Sequence, residues 1–390
     1  MNIKQQSRHI IADKPKVTFV VFDDISFTNG YTTRLRRVLE LFNGNIEATI
    51  IASSDNTPSK FVGFDGVCVK ALGRWLLKYK SVPFPFKLIH LIIWNIELAY
   101  VLLATKCDVV YSVWDPLGFA SVLMISRIKK YRVILEVHDI FSLDHAESGH
   151  SGILLKLDRF LERFVVRNAD YNIALSQNTL EFYQPYNPRM EFVPVCFDTD
   201  VFRATSKDYT SDSRVVGLIG PFEDIRQKHY LEFLYSRIDD FDMRIHFLVI
   251  GQCDSKINNG RIKYTGYMAS EQEYANQLAQ LSAILVPEGV STSGPLTRVL
   301  QPMSCAVPVF ATPKALIGLD YVTPGIDLLV FEENQIPGKV NELIFNNALM
   351  AEIGSNGRKI VERYYSKEAS AGKLLKILQS LLKESAEPSK

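Results

Sequence analysis

Short apolar runs rich in β-branched residues alternate with longer stretches of helical periodicity, and the alternation runs twice, once on each side of a polar break. Few folds tolerate this pattern. A strand, a crossover helix and a further strand give a parallel sheet covered on both faces. In the first series Val17–Phe22 reads as a strand, Tyr31–Phe42 as a helix and Ala48–Ala52 as a strand. Asp108–Val113, Gly118–Lys129 and Arg132–Val137 repeat the order. Leu154–Ala169 reads as an amphipathic helix with Leu157, Phe160, Leu161 and Phe164 on one face, and Tyr171–Leu175 and Glu191–Val195 close the series as strands. Arg203 to Arg214 is polar, as a linker would be. The second series has strands at Val215–Ile219, Ile245–Ile250, Ile262–Thr265, Ala283–Val286, Val307–Ala311 and Asp327–Phe331. Its helices are at His229–Tyr235, Gln272–Leu281 and Leu296–Met303, with two more to the end. The expectation is two Rossmann-like α/β units, residues 1–205 and 212–365, facing each other across a cleft. Ligands of such sheets bind outside the carboxyl ends of the strands.

The length of 390 residues suits two domains, and 47% hydrophobic with 22% charged residues is enough to bury a large core. A net charge of +1, with no basic patch interleaved with aromatics, speaks against a nucleic-acid partner. Cys68, Cys107, Cys196, Cys253 and Cys305 are scattered without Cys-x-x-Cys spacing and read as buried free thiols of a reducing compartment. Residues 1–16 lack the apolar segment of a signal peptide. Phe84–Ala104 is interrupted by Lys87, His90, Asn95 and Glu97 and fails as a spanning helix. The chain is therefore expected in the cytoplasm or on the cytoplasmic face of a membrane. For the latter, residues 70–104 offer Arg74, Trp75, Lys78, Lys80, Phe84, Phe86, Lys87 and Trp94, cations beside aromatics that suit an interfacial surface.

The segment from Pro287 to Ala311 is the most informative one. A strand ends at Val286, a polar loop follows, and Gly294-Pro295 is expected to open a helix whose free amides and positive dipole end suit a phosphate. Thr297 and Gln301 share one face of that helix. The segment resembles the donor-binding signature of the family-4 retaining glycosyltransferases. That signature carries two glutamates eight positions apart; here those positions hold Ser293 and Gln301. Gln301 can still hydrogen-bond the hydroxyls that the second glutamate contacts, whereas Ser293 does not replace the charge of the first.

Further matches follow in order over residues 16–370. Gly217-Leu218-Ile219-Gly220 with Arg226 and Lys228 resembles the family's strand and the cations that hold the donor diphosphate. Ile250-Gly251 and Thr265-Gly266-Tyr267 resemble strand ends that face the base. Arg163 to Asp170 with Ser176, and Val193 to Asp198 with Phe202, resemble segments of its N-terminal domain. Asn29-Gly30 resembles the first glycine-rich loop, and His138-Asp139 the active-site histidine. The resemblance implies the GT-B fold and a C-terminal helix, residues 369–390, packed back on the first domain. It also implies hexosyl transfer with retention from a nucleotide-diphosphate sugar to a glycan or lipid-linked acceptor, as in polysaccharide biosynthesis. Catalytic residues would be His138, Arg226 and Lys228. The donor would meet Gly30, Gly220, Gly251, Tyr267, Ser293, Gly294, Pro295, Thr297 and Gln301. No cofactor is expected beyond the donor itself. Asp198-Thr199-Asp200 reads as a turn, so no metal is expected either. No Gly-x-Gly-x-x-Gly follows the first strand, which argues against a dinucleotide oxidoreductase. The loss of the glutamate pair motivates one alternative, a non-catalytic glycosyltransferase-like binding protein. It counts against another, a nucleotide-sugar epimerase.

Overall fold

The computed structural model describes residues 14–22, 30–52, 68–71, 84–113, 118–147, 149, 151–205, 211–222, 225–290 and 293–386. The first series forms β1 (Lys16–Val21), α1 (Gly30–Phe42), β2 (Glu47–Ala52), β3 (Cys68–Ala71), α2 (Phe84–Ala104), β4 (Val109–Val113), α3 (Phe119–Lys129) and β5 (Arg132–Val137). It continues with α4 (Phe141–Glu147), α5 (Gly152–Asn168), β6 (Tyr171–Ala174), α6 (Gln177–Tyr183) and β7 (Met190–Phe192). Its sheet runs β3-β2-β1-β4-β5-β6-β7, every pair parallel. The second forms β8 (Arg214–Ile219), α7 (Ile225–Arg237), β9 (Ile245–Ile250), β10 (Ile262–Gly266), α8 (Glu271–Ala279), β11 (Ala283–Val286), α9 (Thr297–Ser304), β12 (Val309–Ala311), β13 (Leu329–Val330), α10 (Ile336–Leu343), α11 (Asn347–Tyr364) and α12 (Lys367–Ala386). Its parallel sheet runs β10-β9-β8-β11-β12-β13. The strand order reverses between β1 and β4 and again between β8 and β11, and a crevice opens at such switch points.

β5 and β11 are buried on both faces, as parallel strands under two helical layers must be. Side-chain caps start several helices: Ser176 accepts from Thr179 N, Ser270 from Glu273 N, and Asn346 from Leu349 N. α12 returns to the first sheet. Lys373 Nζ donates to Phe192 O at 2.9 Å, Arg189 pairs with Glu384 at 2.6 Å, and Leu374, Ile377, Leu378 and Leu381 are buried. α1 meets α8 through Arg37, whose buried guanidinium contacts Glu271 at 2.5 Å.

Three sequence expectations are corrected. The apolar face of the helix expected at Leu154–Ala169 points outward: Leu157, Phe160 and Phe164 are 50%, 63% and 45% exposed. Its buried sector is instead held by acids. Glu162 accepts from Ser142 N at 2.9 Å, Ser142 Oγ at 2.7 Å and Tyr183 Oη at 3.0 Å, and Asp158 pairs with His145 at 2.9 Å. Specific partners outweigh periodicity there, because a buried carboxylate is tolerated when each oxygen is bonded. Trp94, expected at an interfacial surface, is fully buried edge-on against Phe22, with ring centroids 4.7 Å apart. Thirdly, Gly294-Pro295 does not open the helix; α9 begins at Thr297 with Leu296 as its N-cap. Arg74, Trp75, Lys78 and Lys80 lie outside the described residues, as do the side chains of Phe84, Phe86 and Lys87. Among the described residues no helix is long and apolar enough to cross a membrane.

Candidate active site

β5 places two polar residues at its carboxyl end. Glu136 and His138 are two apart and so share a face of the strand. Glu136 is fully buried and accepts from Arg34 Nε at 3.1 Å; Arg34 Nη2 lies 3.0 Å away. The Tyr111 hydroxyl donates to the same oxygen, Oε2, while Oε1 lies 2.9 Å from His138 Nε2. Burial disfavours the charged carboxylate, yet Arg34 and His138 hold the Glu136 carboxyl down at about 2. An ionised Glu136 can only accept, so it fixes the proton of His138 on Nε2. The His138 side chain is 12% exposed at the edge of the cleft.

The loop after β11 approaches this strand end from the other domain. A Cβ on Gly294 would fall 2.5 Å from the His138 carbonyl oxygen, so only glycine allows the two backbones this close. Gly318 closes the other side: a Cβ there would fall 2.9 Å from Gly294 C and Pro295 N. Ser293 is buried. Its Oγ accepts from Ile140 N and donates to Asp144 Oδ1 at 2.9 Å, and its amide also donates to that oxygen at 3.1 Å. A carboxylate from the N-terminal domain thus stands beside the position at which the resembled signature carries its first glutamate. Past Pro295, the Leu296 cap supplies no side-chain acceptor to the first turn of α9; its carbonyl takes the Val299 amide at 3.1 Å.

Behind the loop lies a second polar chain. Buried Glu288 accepts from Tyr230 Oη at 2.8 Å, and the Arg298 guanidinium sits 5.4 Å from the Tyr230 ring centroid. With its amide oxygen turned toward Arg298, Gln227 accepts from both terminal guanidinium nitrogens at 2.8 Å. Gln301 is half-buried and accepts from Tyr274 Oη at 3.0 Å; Thr297, one turn earlier, is half-buried as well.

The remaining expected residues divide. Gly220 and Gly251 end β8 and β9. Gly251 has φ +130°, and a Cβ on it would collide with the Gly220 carbonyl. Gly251→Ala is expected to cost about 1–3 kcal/mol in urea unfolding, from strain and overlap combined; an unchanged midpoint would refute the steric argument. Tyr267 follows β10 and is 49% exposed. Gly30 starts α1 beyond β1, where a Cβ would meet nothing within 4 Å among the described residues. Arg226 lies in the first turn of α7, with its side chain outside the described residues, and Lys228 is exposed on the same helix. Asp198 accepts from Asp200 N at 3.0 Å and from Lys367 Nζ at 2.9 Å, as a turn residue does. Among the described residues no three His, Cys, Asp or Glu side chains gather as a metal site needs. Cys196, Cys253 and Cys305 are buried, as expected, whereas Cys107 is only half-buried.

Sequence reasoning passed over Arg34, Tyr111, Glu136, Asp144 and Glu288 as site residues. For Glu136 a signal existed: a carboxylate inside an otherwise apolar run, two residues before the histidine.

Two parallel sheets facing across a cleft define the GT-B class of α/β proteins. Residues 12–201 match the model of Glycosyltransferase Family 4. Sucrose-phosphate synthase of Thermosynechococcus elongatus superimposes with a TM-score of 0.76 at 14% identity, over 95% of this chain and 100% of that one. HepE of Anabaena, solved in complex with UDP-glucose, gives 0.71 at 15% identity, over 94% and 99%. TarM gives 0.69 at 12% identity, over 94% and 98%. No curated protein sequence matches the chain at a significant level. The N-terminal half of the chain is thus similar to Glycosyltransferase Family 4, and the chain as a whole shares the GT-B fold of these solved glycosyltransferase structures.

Proposed function

We propose that the protein transfers a hexosyl group, with retention, from a nucleoside-diphosphate sugar to a glycan or lipid-linked acceptor, and that it works on the cytoplasmic face of a membrane in polysaccharide assembly. The approach of Gly294 to the His138 carbonyl carries this reading, because it brings the start of α9, which no side chain caps, to the carboxyl end of β5. The donor diphosphate is read at that helix start, with Arg226 and Lys228 as the cations that meet its growing negative charge. Thr297 and Gln301 would meet the nucleoside. Gly220, Gly251 and Tyr267 would line the base side, and Gly30 the acceptor side. His138 would face the sugar, and Asp144 would return a carboxylate to the sugar end that Ser293 lacks. The leaving diphosphate itself takes the acceptor proton on the same face, so positioning and charge stabilisation are the protein's contribution. In this reading the donor is a substrate, and neither a cofactor nor a metal takes part.

The test is thermal unfolding against a panel of nucleotides and nucleotide sugars, with UDP-glucose first. A ligand at about 100 times its Kd adds about 2.7 kcal/mol and raises the midpoint by a few degrees. Gln301→Ala should reduce the shift. No shift with any diphosphate nucleotide would overturn the donor site.

A further inference from the structure

α5 is built inside out. Its buried sector holds Asp158 and Glu162 with Val165 and Val166, while Ile153, Leu154, Leu157, Phe160 and Phe164 are 45–81% exposed. The exposed arc is divided lengthwise at 100° per residue, apolar side chains on one half and Lys156, Arg159, Arg163 and Arg167 on the other. All four cations point outward and both acids inward, so the outer face of this helix carries no negative charge. Between the cationic half and Tyr186 lies an open groove of about 410 Å³, lined by those four cations with Phe160 and Phe164.

The apolar surface continues across neighbouring helices. α3 is tied to α5 through Arg127 and Asn168 at 3.0 Å, and to α2 through Ser121 and the Asn95 carbonyl at 2.8 Å. On α3 Met124 and Ile128 are 56% and 62% exposed; on α2 so are Ile92, Ile96 and Tyr100, at 51%, 62% and 74%. A monomer exposes so extended an apolar face at a cost, and such a face marks an interaction surface.

We propose that the outer face of α5, continued by α3 and α2, docks the N-terminal domain onto an anionic lipid bilayer. Charge decides the occupant. A second copy of this chain would bring the same four cations against themselves, whereas anionic headgroups complement them and acyl chains accept the apolar half. Lipid phosphates fit the groove, and Phe160 and Phe164, stacked with centroids 6.2 Å apart, sit at its rim. This deepens the membrane part of the proposed function, rests on it, and moves the principal contact from residues 70–104 to α5.

The experiment is co-sedimentation of the full chain with phosphatidylglycerol/phosphatidylcholine vesicles and with pure phosphatidylcholine vesicles. Binding to the anionic vesicles alone is expected. Arg159→Gln/Arg163→Gln should weaken it about thirtyfold, at about 1 kcal/mol per cation near such a surface. Leu157→Ser/Phe160→Ser should weaken it at unchanged charge. All four side chains are exposed, so both variants should fold, and their unfolding midpoints with and without UDP-glucose should match the parent's. That readout keeps the two ideas apart, since a donor-induced shift without vesicle binding overturns the docking surface alone. Binding that survives both variants, or a dimer in light scattering that Phe160→Ser abolishes, would also overturn it.

Discussion

Glu136→Ala will destabilise the protein by about 3–5 kcal/mol, a loss of roughly 6–20 °C for a domain of this size, because it strands the buried Arg34 guanidinium without its counter-ion. The same carboxylate serves Tyr111 and His138, so two further polar atoms lose a hydrogen bond at once. The pH dependence follows from the direction of the shift. A carboxyl held at about 2 in the folded state, against about 4.3 unfolded, contributes stability that is fully present above about pH 4.3 and is lost as pH falls toward 2. Wild-type protein should therefore lose stability more steeply than Glu136→Gln across that window. Equal slopes, or an alanine variant as stable as a surface substitution, would show that the network carries nothing.

Gly294→Ala is expected to lower transferase activity about a hundredfold while costing the fold only about 1–3 kcal/mol. The new methyl group would fall 2.5 Å from the His138 carbonyl oxygen and 3.4 Å from Asp139 Cβ. Gly318 backs the loop from the other side, so it cannot retreat without moving the start of α9. Steady-state kinetics with the proposed nucleoside-diphosphate sugar donor and acceptor would measure the loss. Full activity in a folded Gly294→Ala protein would mean that the domains do not need this approach during turnover.

Several elements were legible because a local rule governs them. Arg132–Val137 is a strand in both readings, since a fully buried parallel strand needs a near-continuous apolar run. The helix expected from Gln272 begins at Glu271, because Ser270 caps it through Glu273 N. The glycines at the ends of β8 and β9 stand where backbones come too close for a side chain. The helix after β11 was anticipated, though two residues early, because a proline that suits a first turn also suits the approach to one.

By itself the sequence determined the two parallel sheets with their covering helices, because hydrophobic period and turn chemistry act over a few residues. Tertiary structure decided which face of α5 is buried, since Glu162 and Asp158 find partners on α4 and α6 that no local pattern encodes. It also decided that Asp144 stands beside Ser293, across 149 residues of chain, and that Arg34 reaches Glu136 across 102. Periodicity records how much of a helix is apolar; only the packed partners decide which way it turns.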